Sequence, residues 1–365
     1  MSDDPQTPEG GVPSAETKYP DAGNRIRITL DDLNNVATPE VSSQGYGTVG
    51  ESPLPEVAAD PSKGSIFLKS WCYLGLAGLG GSLVAWAICE PRFRDAGRPT
   101  WANVILIPLM VVLSCVGFGV AESIAERSPR KAAIRGAMAL AIGTVLGFFF
   151  DFVANIIFTI GLSVLFQAGS VVDQHNAGLW FIRSIAWVVF GISGGVVYGL
   201  VGQSGKRCLF GIAGGMLGAG LGGLCFDPIA IFTGGAALSR AVGLGLFGLA
   251  TGVAIGLVES ALKDRWIYVA GGPLAGKQFI LYKQLTTIGS DQSCDIYLFK
   301  DPSIQPRHAV IELRGSRVLV HASGPVAVQG RPISSGTRMD YLESGNSMQI
   351  GRYQFVYRDR ERSRR

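Results

Sequence analysis

The chain has 365 residues, 47% hydrophobic and only 16% charged, and Gly alone fills 50 positions. Soluble domains average about 25% charged residues and about 7% Gly, so one ordinary soluble globule is excluded and membrane insertion is the first reading. The glycines keep no three-residue period, which excludes collagen. Six Cys without a C-x-x-C pair, beside three His, make a disulfide scaffold or a zinc module a poor reading. The net charge of +4 divides into −7 over residues 1–65, +5 over 66–265 and +6 over 266–365, which suggests three parts.

Residues 1–65 are rich in Pro, Gly, Ser, Thr, Asp and Glu. Their scattered apolar side chains cannot enclose a core and repay the entropy of ordering, so a disordered acidic tail is expected. No basic start followed by an apolar stretch marks a cleavable signal peptide. One island, residues 26–33, alternates in strand fashion. It reads as a docking motif or as chance alternation.

The segment 66–262 reads as a transmembrane helical domain. A bilayer core of ~30 Å needs about 20 apolar residues at 1.5 Å each. Six stretches meet or approach that length: 66–89, 102–120, 132–150, 179–201, 208–226 and 241–262. Residues 152–166 are apolar but short, and are expected to form an interfacial or re-entrant piece after the third span. Lys and Arg collect in cytoplasmic loops. Arg127, Arg130, Lys131 and Arg135 follow span two, Lys206 and Arg207 follow span four, and Lys263 and Arg265 follow span six. Both termini are therefore expected in the cytoplasm of a multi-pass cell-membrane protein, with Arg92, Arg94 and Arg98 the one dissenting loop.

The spans look repeated. A shift of 76 residues aligns Gly119 with Gly195, Ser128 with Ser204, Gly147 with Gly223 and Asp151 with Asp227. Three degenerate hairpins follow, each closing its first helix with Glu90, Asp151 or Asp227. Glycines recur at four-residue steps in three ridges: Gly191-Gly195-Gly199, Gly214-Gly218-Gly222 and Gly248-Gly252-Gly256. Such ridges let helix backbones approach closely, for packing within the chain or for homo-oligomer formation. Intramembrane charges mark transport pathways. Here they are few: Arg183 near the outer end of span four and Glu122 and Glu259 near inner ends, with Asp151 and Asp227 at outer ends where they reach water, and no midplane constellation is expected.

From Trp266 the pattern turns to short alternating runs at 266–270, 278–282, 309–313, 317–321 and 353–357, punctuated by Gly, Pro, Ser and Asp. Many short strands over about 100 residues indicate an all-β sandwich. The fold class is thus multidomain: a polytopic α-helical membrane domain plus a β-sandwich.

The blocks Thr287-Ile288-Gly289-Ser290, Cys294-Asp295-Ile296-Tyr297-Leu298, Asp301 to Ile311 with Gln305-Pro306-Arg307-His308 inside, Val328-Gln329-Gly330, Leu342-Glu343-Ser344-Gly345-Asn346 and Met348-Gln349-Ile350-Gly351 resemble a forkhead-associated (FHA) domain over residues 266–358. The resemblance implies a sandwich whose loops at one end bind phosphothreonine peptides. It assigns partner contacts to Ser290, Gln305, Arg307, His308 and Gln329, with His308 organising a loop. Three positions depart from the family: Ser290 replaces its Arg, Gln305 its Ser and Gln329 its Asn. Ser and Gln cannot supply the charge with which Arg pairs phosphate, although the Gln amides still donate hydrogen bonds. Binding of phosphothreonine is weakened, and an unphosphorylated partner is nearly as good a reading. In the acidic tail, Thr29 precedes Asp32 by three residues, the position that often sets peptide choice in this family, so the tail itself is a candidate ligand.

Gly271 to Gln278 nearly spells a P-loop, but Gln278 stands where Ser or Thr should hold magnesium, and a strand follows, so a turn between strands is expected. Five Arg among residues 358–365 form a basic tail, taken at 359–365 as solvated, with nucleic acid not the expected partner. No catalytic set, metal site or cofactor is expected. The function expected is a membrane-anchored module recruiting partner proteins or phosphopeptides, possible steps of Ser/Thr-kinase signalling included. The rival is a transporter or channel regulated by that module.

Overall fold

The computed structural model describes residues 66–360 apart from 172, 174, 234–235 and 334–338. The acidic segment 1–65 with its 26–33 island, and residues 361–365, lie outside the described residues. A short 3-10 turn, Ile66–Leu68, leads into six helices: α1 (Ser70–Cys89), α2 (Trp101–Ala125), α3 (Pro129–Gln167), α4 (Ala177–Val201), α5 (Gly205–Thr233) and α6 (Ala236–Leu262). All six are long and apolar enough to cross a membrane.

The helices form a closed ring. Each packs on its neighbours in the chain, α6 closes on α1, and α2 also touches α4. The three glycine ridges lie in three consecutive interfaces of that ring. Gly191, Gly195 and Gly199 of α4 face the backbone of Gly215, Gly211 and Cys208 in α5. Gly214, Gly218 and Gly222 of α5 face Ile255, Ala250 and Phe247 of α6. Gly248, Gly252 and Gly256 of α6 face Gly78, Leu74 and Trp71 of α1. A side chain at any of these positions would run into a neighbouring helix, so close packing here requires glycine. The faces are filled from within one chain.

Two turns carry the 76-residue spacing. Arg127 (φ 54°) and Gln203 (φ 53°) both adopt the left-handed conformation. Ser128 N–H then donates to Ser123 O at 2.9 Å and Ser204 N–H to Gly199 O at 3.1 Å, the 6→1 closure of a Schellman end.

Three expectations are corrected. The residues 152–166 are no separate piece: α3 runs unbroken for 39 residues, roughly 58 Å at 1.5 Å per residue. One Asp in a helix interior costs only about 0.7 kcal/mol relative to Ala, so Asp151 does not end it. Asp227 likewise sits inside α5, followed by the in-helix Pro228, instead of capping a hairpin. It is buried rather than water-facing and pairs with Arg183 Nε at 2.8 Å. The Arg183 guanidinium also lies over the Phe158 and Phe226 rings. Only Glu90 stands at a helix end, where Arg240 of α6 forks onto it at 2.6 and 3.0 Å.

The rest is an eleven-stranded sandwich: β1 (Arg265–Gly271), β2 (Gln278–Ile280), β3 (Leu285–Gly289), β4 (Ile296–Tyr297), β5 (Ala309–Arg314), β6 (Arg317–Ala322), β7 (Val326–Val328), β8 (Arg331–Ile333), β9 (Met339–Tyr341), β10 (Ser347–Ile350) and β11 (Tyr353–Asp359). One sheet orders β2-β1-β11-β10-β7-β8 and the other β4-β3-β5-β6-β9. Among the described residues only β3 and β4 pair in parallel. Alternate residues such as Ile267, Val269, Ile288, Ile311, Val320 and Phe355 fill the core between the sheets. The glycine-rich run after β1 is a turn, with Gly272 at φ 101° and Gly276 at φ 93°, and Ala275 N–H on Gly272 O at 3.0 Å. No helix follows it, so no phosphate loop forms.

Substituting Gly218→Leu should destabilise the helical ring by about 1–3 kcal/mol, because the branched side chain meets Ala250 and Thr251 backbone. Gly80→Ala, in open space on α1, should be neutral or slightly stabilising. Thermal melts in one detergent compare the two; equal melting temperatures for Gly218→Leu and wild type would contradict the packing.

Candidate functional site

The loops at one end of the sandwich are organised by His308. Its ring is buried, with Nδ1 accepting from Gln305 N–H at 3.1 Å and Nε2 at 2.9 Å from Pro325 O. An accepting Nδ1 leaves the proton on Nε2, so the neutral ring donates to Pro325. The His308 N–H donates to Ile288 O, and the Ser323 and Gly324 N–H groups donate to His308 O. Gly324 lies flat against the imidazole, where a Cβ would clash. One residue thereby joins the β3 end, the β4–β5 loop and the β6–β7 loop.

Ser290 hydrogen-bonds inward: its hydroxyl donates to Ile304 O at 2.8 Å and its N–H to Gln305 O at 3.0 Å. The Gln305 and Arg307 side chains are exposed beside it. These four residues are brought together. Gln329 is not. It occupies the β7–β8 turn with φ 50°, and its amide donates to Asn346 Oδ1 at 2.8 Å. Strand β7 separates it from Pro325 by roughly 13 Å of extended chain.

The same end is joined to the helices. Gln292 Oε1, in the β3–β4 loop, accepts from Ser128 Oγ and from Arg130 N–H, both at 3.2 Å. Lys131 Nζ donates to Asp295 O at 3.2 Å. The Arg127 guanidinium lies 5.8 Å from the Phe299 ring centre. Arg127, Arg130 and Arg307 all stay exposed around this loop. Asp291 is held below the usual carboxylate range by hydrogen bonds from Ser293, and Arg130 and Arg307 add their fields. For Asp295, burial acts to raise the carboxyl, but hydrogen bonds from Thr287 and Lys283 outweigh it and hold it low.

Behind this edge two charged residues are sealed from water. Lys277 Nζ of the sandwich donates to Glu126 Oε1 at 2.8 Å, each side chain 1% exposed, and Lys131 reaches the other oxygen at 3.4 Å. Sequence reasoning treated Lys277 only as part of a failed P-loop. The signal available was a lone Lys flanked by Leu274 and Phe279.

A second cluster gathers the intramembrane charges at the sandwich side of the ring. Glu122 accepts from Arg207 Nη1 and Arg135 Nη1, both at 3.0 Å. Arg207 Nη2 donates to Tyr198 OH at 2.6 Å, and that hydroxyl donates to Glu259 Oε2 at 2.9 Å. Tyr282 of the sandwich donates to Glu259 Oε1 at 2.9 Å. Glu122 and Glu259, expected near the inner ends of their spans, meet through Arg207. Burial in this junction raises the Tyr282 hydroxyl well above its ordinary value. The ring centre is packed by Phe118, Trp187, Phe190 and Phe247, with a residual cavity of ≈ 10 Å³, no more than one water's space.

Residues 268–361 match the model of a family described as the inner membrane component of T3SS, cytoplasmic domain. Solved FHA domains resemble the same part. The FHA domain of a Chlamydia trachomatis protein is 28% identical, covering 27% of this chain and 98% of its own, with a TM-score of 0.24. The N-terminal FHA domain of S. cerevisiae Rad53p, solved with a phosphothreonine peptide, is 13% identical, covering 27% and 96%, TM-score 0.25. The FhaA FHA domain, solved with the intracellular domain of another protein, is 18% identical, covering 26% and 100%, TM-score 0.23. No curated protein matches the chain. The C-terminal sandwich is FHA-like, and it follows six apolar helices.

Removing one partner of the sealed pair, as in Lys277→Met, should destabilise the junction by about 3–5 kcal/mol, since it leaves the buried Glu126 carboxylate with only the longer Lys131 contact. Adding Glu126→Leu should recover much of that loss. Hydrogen exchange at β1–β2 in the full chain measures both; additive losses would show that the pair is not coupled.

Proposed function

We propose that the protein is a membrane-anchored interaction module, in which the FHA-like sandwich recruits an acidic or phosphothreonine-bearing segment of a partner protein at its His308 end. The observation that carries this reading is the set of exposed cations at that end. Ser290 brings no charge, but Arg307 from the β4–β5 loop and Arg127 and Arg130 from the α2–α3 turn flank the same edge. Arg pairs phosphate or carboxylate through charge-assisted bonds, so a composite of helix-derived and loop-derived arginines restores what the loop lost. Ser290, Gln305 and His308 shape the backbone of the surface, and Gln329 contributes from a separate turn if a long segment crosses the sheet edge.

The matched family's description as a cytoplasmic domain of an inner-membrane component supports a sandwich on the cytoplasmic face, as do the basic turns at 127–135 and 206–207. Both termini then share the cytoplasm, which makes the acidic segment around Thr29 a candidate ligand in the same compartment. The Ser/Thr kinase that would phosphorylate such a segment supplies the switch. The filled ring centre favours anchoring over conduction.

Full-length protein in nanodiscs should bind a peptide of residues 24–35 phosphorylated on Thr29 more tightly than the unphosphorylated peptide. Arg127→Gln with Arg130→Gln and Arg307→Gln should weaken binding about tenfold or more, as losing one charge-assisted bond of ~1.5–3 kcal/mol implies. Unchanged affinity in the triple variant would overturn the composite site. Topology reporters placed at residue 175 and after residue 365 should report opposite sides; matching signals would overturn the six-span orientation.

A further inference from the structure

A cavity of ≈ 540 Å³ lies between the sandwich-side ends of the helices and strand β2. That is within the size range of small-molecule sites. Five of the six helices and Gly202 of the α4–α5 turn contribute to its wall, which also includes Tyr282 and Lys283 of the sandwich. It shares Asp295 with the loop edge described above, but none of the residues proposed to contact a partner lines it.

Its charges do not balance. Lys69, Arg135, Arg207, Lys263 and Lys283 line it, against Glu122, Glu259 and Asp295. The three carboxylates are already engaged: Glu122 by Arg135 and Arg207, Glu259 by two tyrosine hydroxyls and by Arg207 Nε at 3.5 Å, Asp295 by Lys283. Among the described residues neither Lys69 nor Lys263 has a carboxylate at ion-pair distance. Lys263 instead meets Gln278 Oε1 and lies over the Trp266 ring. Burial pushes the Lys263 ammonium down, as expected of a cation still lacking a full counter-charge. Arg207, 7% exposed, keeps a buried Nε–H that makes no hydrogen bond, its nearest carboxylate oxygen being Glu259 Oε1 in a long ion-pair contact at 3.5 Å. An unsatisfied buried donor beside two surplus cations calls for an anion carrying several acceptor oxygens.

The cavity's position narrows the class. It lies where α1 begins, at Lys69, Ser70 and Trp71, and where the apolar helices end. Ile66 and Phe67 are exposed just before Leu68, which lines the wall. Apolar side chains, an aromatic and a Lys at a helix end are the composition of a membrane–water interface.

We propose that this cavity binds a phosphate ester, with Lys69 and Lys263 supplying the charge, Arg207 the buried donor, and either an anionic phospholipid headgroup or a soluble organophosphate as its source. Because the ligand would touch both the helix ends and β2, it would stabilise the junction through mass action.

The test uses full-length protein in three settings: phosphatidylcholine nanodiscs, nanodiscs containing phosphatidylglycerol, and phosphatidylcholine nanodiscs with added glycerol 3-phosphate. A saturable rise in melting temperature with phosphatidylglycerol assigns the lipid headgroup; a rise with glycerol 3-phosphate assigns the soluble ester. In either case Lys69→Gln with Lys263→Gln should weaken the apparent affinity about tenfold or more. Arg207→Gln should do the same where it folds, and the lysine pair decides the matter where it does not. Lys206→Gln, an exposed charge outside the cavity wall, should leave affinity unchanged. No saturable shift with either ligand, an undiminished shift in the lysine variant, or an equal loss in Lys206→Gln would each overturn the proposal.

Discussion

Glu126 and Lys277 meet at 2.8 Å with almost no access to water, one from the end of the second helix and the other from a turn of the sandwich. Two charges cannot be buried singly without a cost of several kcal/mol each. Each therefore needs the other, and the sandwich is held in one register against the helix ends. The neighbouring contacts depend on that register. Gln292 reaches the α2–α3 turn, Lys131 reaches Asp295 O, and Tyr282 reaches Glu259 across the same junction.

The ring that supplies Glu126 is built without side chains at its closest points. Lipid tails are as apolar as the helices, so hydrophobic transfer offers little drive for one helix to choose another. Close backbone contact along the glycine ridges replaces that drive. It also leaves room at the ring centre for Phe118, Trp187, Phe190 and Phe247, which fill it. Arg183–Asp227 and Arg240–Glu90 pair towards one end and the Arg207 cluster towards the other. Pairing is what lets such groups persist at membrane depth; Asp151, inside α3, has no ion-pair partner among the described residues.

At the sandwich side the helix ends are more than an anchor. The exposed loop edge proposed to receive a partner lies beside Arg127 and Arg130 from the α2–α3 turn and the start of α3. A fragment of the sandwich alone would lack Arg127 and Arg130, so its binding properties need not match those of the whole chain. The helical part thus takes a direct share in the proposed recognition surface, and the cavity adds a second cationic site at the same junction.

The span count, the sandwich and its FHA-like character were legible in the sequence because each rests on local regularity: runs of about 20 apolar residues, period-2 alternation, and ordered loop motifs. Thr287 to Leu298 and Gln305 to Ile311 carry the loop geometry in their own order. What the sequence could not tell was which distant charges meet. Asp151 and Asp227 looked like helix ends, yet a helix tolerates one Asp cheaply, and Asp227 finds Arg183 only through the α4–α5 packing. Glu122, Arg207 and Glu259 lie on three different helices, and Lys277 lies 151 residues from its partner Glu126. Gln329 matched a motif but fell on another turn, since motif spacing does not count the strand between. Local pattern determines elements because neighbours in the chain share a backbone; the pairing of buried charges is decided only in tertiary structure, where desolvation makes every such group answer to whatever the fold brings beside it.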